Sequence, residues 1–225
     1  PRLGGRDDHQ LSRPLMIDDA LIWRRAAVGL SGVIYWAGVL VQARRIRRRI
    51  GRSPNLRPRG LRERLLWLGW FLVIAIWIGQ PWISSNALIG PLLSRWPALM
   101  HPASLTGGVA LLVAGYAGTL WTYSAMGDSW RIGVDRNERT RLISFGPYAW
   151  VRHPIYAFQV VMLAGAVLLL PTLLSVAALV LHVVCVQIKA RDEERHLLTV
   201  HGQEYRDLCA RTGGILPRLW GRGES

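Results

Sequence analysis

Lysine is almost missing from this chain. Lys189 is the single one, so 27 of the 28 basic residues are arginines, set against 14 acids for a net charge of +14. Cysteine is equally scarce. Cys185 and Cys209 make neither a disulfide framework nor a zinc pattern. Both are expected to be reduced, with Cys185 a small packing residue in an apolar run. No N-terminal stretch has the charged start, apolar centre and cleavage site of a secretory signal. The chain opens at Pro1, and Met16 reads as a natural start behind an extension of residues 1–15. Internal repeats and low-complexity tracts are also lacking, which excludes solenoids and disordered arrays.

Charge is missing from five long stretches, and this decides the fold class. Apolar runs at about 26–42, 65–83, 103–125, 155–170 and 172–188 approach the length needed to cross a bilayer. An all-α integral membrane protein with about five transmembrane helices is therefore expected. Its parts are a polar extension at 1–25, three spans with an arginine-rich loop within 26–126, and a functional region at 127–225. Asp18-Asp19 is expected to cap a short interfacial helix at 20–23. Loop 43–64 holds ten arginines and one glutamate, +9. A dense arginine block between two spans is a topology signal, so nucleic acid is not an expected partner. The rule puts this loop in the cytoplasm of a bacterial inner membrane, with the N-terminus outside. Loop 127–154 and the tail from 189 onward then share the cytoplasmic face. In the third span Ala110, Ala114 and Gly118 are spaced by four and are expected to let a neighbouring helix approach.

Pro171 alone separates the last two runs, so they should form a tight hairpin. The start of the fourth span and the end of the fifth are then neighbours. The first end is Gly146-Pro147-Tyr148-Ala149-Trp150-Val151-Arg152-His153-Pro154-Ile155-Tyr156. Gly146-Pro147 is turn chemistry, and Pro154 suits the first turn of a helix. Arg152 and His153 should stand at that helix N-terminus, beside unpaired N–H groups. The second end supplies Lys189, Glu193, Glu194 and Tyr205. Lys189 and Glu193 share a helix face, whereas Glu194 is turned roughly 100° away. At most one of the two acids is therefore expected to face a given pocket. Such a cluster beside a membrane requires partners or a ligand.

Gly-Pro-Tyr-x-x-x-Arg-His-Pro-x-Tyr, an apolar hairpin and Glu-Glu-x-x-Leu-x-x-x-x-Gly-x-x-Tyr together resemble the isoprenylcysteine carboxyl methyltransferase family and its bacterial relatives, within the wider phospholipid methyltransferase group. The resemblance covers about 119–217. It implies a membrane enzyme that uses S-adenosylmethionine from a cytosolic pocket, with a lipophilic acceptor entering from the bilayer. The acceptor would be the carboxylate of an isoprenylcysteine-like group or another lipid. By position, Thr140, Arg141, Leu142, Ile143, Tyr148, His153, Pro154, Ile155, Tyr156, Glu193 and Tyr205 correspond to the cofactor site. Glu193 corresponds to the acid that holds the cofactor ammonium. Arg152, His153, Lys189 and Glu194 are the catalytic candidates. Lys189 stands where the family has an arginine near the substrate carboxylate, and a lysine lacks the planar fork. A carboxylate acceptor needs no general base. A thiol, hydroxyl or amine would need one, with His153 or Glu194 as candidates. No metal is expected. The absence of a glycine-rich strand-to-helix fingerprint excludes the usual soluble methyltransferase fold.

The same residues have plainer readings. Arg152 can anchor at headgroups, His153 can be an interfacial cap, and the two glutamates can form a solvated helix face. His182, inside the fifth run, reads as a packed histidine. An NADPH-dependent sterol-type reductase is the alternative enzyme. Those carry Arg-His-Pro-Asn-Tyr followed by Gly-Glu, and here Ile155, Ala157 and Phe158 depart from that pattern. A non-catalytic lipid-binding protein is the third reading. Oligomeric state is not legible.

Overall fold

The structure is a computed structural model of the chain and describes residues 13–51, 60–83, 88–130 and 142–218. Among these residues lie seven helices: α1 (Arg13–Ile50), α2 (Leu61–Gly79), α3 (Gly90–Leu93), α4 (Pro102–Met126), α5 (Pro154–Leu169), α6 (Leu173–His201) and α7 (Gln203–Arg211). Four of them are long and apolar enough to cross a membrane: α1, α2, α4 and α6. The fifth apolar helix, α5, has 16 residues, about 24 Å of rise against a hydrocarbon core of about 30 Å. The all-α membrane architecture expected from hydropathy is the one observed.

Three local expectations are corrected. No separate helix exists at 20–23, because α1 is continuous for 38 residues and Asp19 lies inside it. The arginine block is not loop as far as Ile50, since Arg44–Arg49 form the last turns of α1. Cations at a helix C-terminus complement the dipole, which favours that extension. The small-residue face of α4 is also different. Ala110 and Ala114 are exposed, while Gly108, Gly115 and Gly118 are buried. A Cβ on Gly115 would stand 2.4 Å from Met162 Cγ and 2.7 Å from the Phe158 carbonyl. The reason is periodicity: positions 108, 115 and 122 recur on one face every two turns, whereas an i+4 row winds around the helix.

Packing explains the remaining order. α5 packs most closely on α4 and also meets α6 and α1. α1 turns one face to the bundle, burying Val28, Tyr35, Val39, Ala43 and Ile46 at spacings of seven, four, four and three. α2 lies against α1 and α6, where Gly69 faces Cys185 Sγ. Cys185 is thus the buried packing residue expected. The α5–α6 hairpin turns at Pro171. Thr172 caps α6, its hydroxyl accepting from Ser175 N at 3.1 Å. Gln80, at the end of α2, donates to Thr172 Oγ1 at 3.0 Å and Ser175 Oγ at 2.8 Å.

Arg24 holds the opposite end of the bundle from His153, and nothing in the sequence pattern singled it out. Its side chain is buried. It donates to the carbonyls of Leu168 and Leu169 at 3.2 Å, to the His101 carbonyl at 2.7 Å and to Ser104 Oγ at 3.1 Å. The first two are orphan acceptors at the C-terminus of α5. Arg24→Met is expected to destabilise the protein by about 3 kcal/mol, because several buried carbonyls lose their donor together. Thermal unfolding in detergent checks this, and Arg24→Lys should fall between the two because it keeps the charge without the fork.

Candidate active site

Gly146 begins the site. Its φ of +61° is a left-handed conformation that glycine adopts without strain. Gly146–Ala149 then form one 3₁₀ turn, with Pro147 buried, and His153 becomes the N-cap of α5 with Pro154 in the first turn. The approach to α5 is fixed by a partner that the sequence did not suggest. Segment 150–153 pairs with Gly213-Gly214 beyond α7. Arg152 N donates to Gly213 O at 2.9 Å, His153 N to Gly214 O at 3.1 Å, and Gly213 N to Trp150 O at 3.1 Å. The two glycines do more than end a helix. A Cβ on Gly213 would collide with the Leu216 carbonyl, so the tail can fold back here only with glycine.

Helices α5 and α6 place one histidine between two acids. His153 Nδ1 lies 3.4 Å from Glu193 Oε2, and Nε2 lies 3.3 Å from Glu194 Oε1. Both ring nitrogens can donate only in the imidazolium form. Burial pulls the His153 pKa down, but hydrogen bonds and charges from Glu193 and Glu194 outweigh it and hold the pKa above 6.5. The expectation that only one acid faces any pocket is therefore corrected. The two carboxylates diverge by about one residue's rotation, and the imidazole lies between them and meets one with each nitrogen.

Each acid has a second partner. Tyr156 Oη donates to Glu193 Oε1 at 2.9 Å, and Arg152 Nε donates to Glu194 Oε1 at 2.8 Å. Arg152 also donates to the Thr212 carbonyl at 2.6 Å, linking the acid to the tail. The Glu194 carboxyl is held well below the usual range, first by the His153 hydrogen bond and then by Arg152, against the opposing effect of burial. Tyr156 stacks on His153 at 5.7 Å and faces Trp70 of α2 at 6.4 Å. Tyr148 is close enough for the Glu193 charge, after burial, to raise its phenol pKa.

The other candidates are less tightly joined to this cluster. Lys189 is half-buried one turn before Glu193 and makes no hydrogen bond or ion pair among the described residues. Tyr205 is buried on α7 with an unpartnered hydroxyl among the described residues. Leu142, Ile143 and Ile155 are half-buried. Thr140 and Arg141 lie outside the described residues. His182 is buried in α6 without a partner among the described residues.

Stability should follow these charges. The raised His153 pKa stabilises the fold fully below pH 6.5, and this contribution is lost as pH rises through the folded-state pKa. The depressed Glu194 pKa stabilises above about 4.5 and is lost as pH falls through the folded value. The melting temperature in detergent is expected to be highest between these limits. His153→Gln should flatten the alkaline decline relative to the parent protein.

Residues 103–204 match the family model for phospholipid methyltransferase. The chain is also similar to the nickel-cobalt-cadmium resistance protein NccN of Alcaligenes xylosoxydans xylosoxydans, at 30% identity over 111 residues. That alignment covers 49% of this chain and 51% of the relative, so the chain spans about half the length of the curated relative it matches. The matched residues contain α5, α6, His153 and the three side chains that meet it, Tyr156, Glu193 and Glu194. Through residues 103–204, a little under half of its length, the chain is similar to the phospholipid methyltransferase family.

Proposed function

We propose that this protein is a membrane-embedded methyltransferase that uses S-adenosylmethionine to methylate a lipophilic acceptor. The observation that carries the reading is the two-acid clasp on His153, built where two apolar helices end. The residues fit the cofactor. A carboxylate offers about four acceptor positions, and Glu193 uses one on Tyr156 and directs another at His153. Capacity for an ammonium group remains. Tyr148, close enough to feel the Glu193 charge, supplies aromatic surface beside it. The bound cofactor would supply an activated methyl group. The chain's part is to hold charge, orient the acceptor and exclude water.

The charge states favour one class of acceptor. Both ring nitrogens of His153 face carboxylates, which favours its protonated form, and the Glu194 carboxyl, held low, is a weak base. Neither is poised to take a proton at neutral pH. An acceptor carboxylate, such as that of an isoprenylcysteine-like group, brings its own charge and needs no base. Lys189, half-buried and without a counter-ion among the described residues, would attract it. The arginine end of α1 supports a cytoplasmic placement of this face.

Vesicles holding the purified protein, total lipid and methyl-labelled S-adenosylmethionine test the proposal. Label should enter the organic-soluble fraction and be released by mild base, as a methyl ester is. Base-stable label would indicate a thiol, hydroxyl or amine acceptor. No transfer, with NADPH consumed instead, would replace the reading by reduction.

A further inference from the structure

We propose that the arginine end of α1 binds the headgroup of an anionic phospholipid at a site separate from the His153 cluster. Val41, Arg44, Arg45, Arg48 and Arg49 line a surface groove of about 440 Å³. Their spacing of three, one, three and one places them on one helix face. Further back, the same face carries Leu30, Val33 and Ile34, each at least half exposed, and Val41 continues the row. Val39, Ala43 and Ile46 point the other way, into the bundle. One uncovered face therefore changes from wholly apolar to wholly cationic within a turn.

The charges on this face are largely unanswered. Arg44, Arg45 and Arg48 are exposed and make no ion pair or hydrogen bond among the described residues. Arg49 reaches Asp128 at 3.1 Å across an exposed gap. α1 contains no acid after Asp19. Adjacent guanidinium groups suit phosphate oxygens, which they can grip with paired donors. A free phosphate would use the arginines and leave the row from Leu30 to Val41 without a partner. A nucleic acid would do the same. An anionic phospholipid meets both halves, with acyl chains along the apolar row and the phosphate in the groove.

The full-length protein in detergent, titrated with phosphatidylglycerol and with phosphatidylcholine of the same chains, provides the test by native mass spectrometry. The parent protein should bind phosphatidylglycerol more tightly. Each arginine at a membrane surface contributes about fivefold, so Arg44→Gln, Arg45→Gln and Arg48→Gln together should weaken that binding about a hundredfold. Phosphatidylcholine binding and the melting temperature should not change, since these side chains are exposed. Arg206→Gln with Arg211→Gln, on the surface of α7, should leave both lipids unaffected. Equal binding of the two lipids by the parent protein would overturn the proposal. So would an equal loss in the α7 variant, or displacement of the lipid by millimolar inorganic phosphate.

Discussion

Gly165→Ala is expected to lower stability by about 3 kcal/mol, although it adds a single methyl group. The new Cβ would lie 2.7 Å from the Gly108 carbonyl oxygen, 3.0 Å from Leu111 Cβ and 3.1 Å from Leu112 N. Two of those atoms are backbone, so no side-chain rotation relieves the contact. The approach is mutual, because a Cβ on Gly108 would meet the Gly165 carbonyl at 3.0 Å. Between apolar helices in lipid, such close backbone approach is a principal source of association. Pushing α5 away from α4 also shifts His153 and Tyr156 against α6. The melting temperature in detergent should fall by roughly 6–12 °C for a chain of this size. Gly107→Ala, whose nearest neighbour would be Leu168 Cδ1 at 3.8 Å, should be neutral or slightly stabilising.

Neutralising the two acids should have separable results. Glu194→Gln leaves Arg152 and His153 beside each other with Glu193 as the remaining counter-charge. Their side chains are 14% and 5% exposed. Breaking one partner out of so enclosed an arrangement costs about 3 kcal/mol. The tail tied to Arg152 through Thr212 should loosen with it, which hydrogen exchange of residues 205–214 would report. Glu193→Gln keeps the Arg152–Glu194 pair and should destabilise less, by about 1 kcal/mol. Its main consequence, on the proposed reading, is loss of the charge that holds the donor's ammonium group. Equal stability loss in the two variants, with equal donor affinity, would contradict this division.

Much of this arrangement was legible in the chain. Hydropathy marks the long helices because an uncharged run of such length has few other uses. Pro171, with no polar loop around it, predicts the hairpin and hence the meeting of His153 with Glu193 and Glu194. What escaped the sequence depends on distant neighbours. Helical rotation separates Glu193 from Glu194, and only the position of the imidazole between them shows that both are used. Arg24 sits among ordinary-looking residues, and its role depends on carbonyls about 145 positions away. Gly213-Gly214 reads locally as a helix stop, while its pairing with Trp150–His153 is a tertiary event. The α4 glycine face was misplaced because Ala110 and Ala114 offer an equally small row, and only the partner helix selects between rows.

Calorimetric titration of S-adenosylmethionine and S-adenosylhomocysteine into the detergent-purified protein tests most directly whether the clasp on His153 is a methyl-donor site. Saturable binding of both is predicted, at least a hundredfold weaker in Glu193→Gln and nearly unchanged in the variant lacking Arg44, Arg45 and Arg48 (on the order of 3 kcal/mol for a buried charge pair). No heat from either nucleotide, or affinity that survives Glu193→Gln intact, would contradict the account.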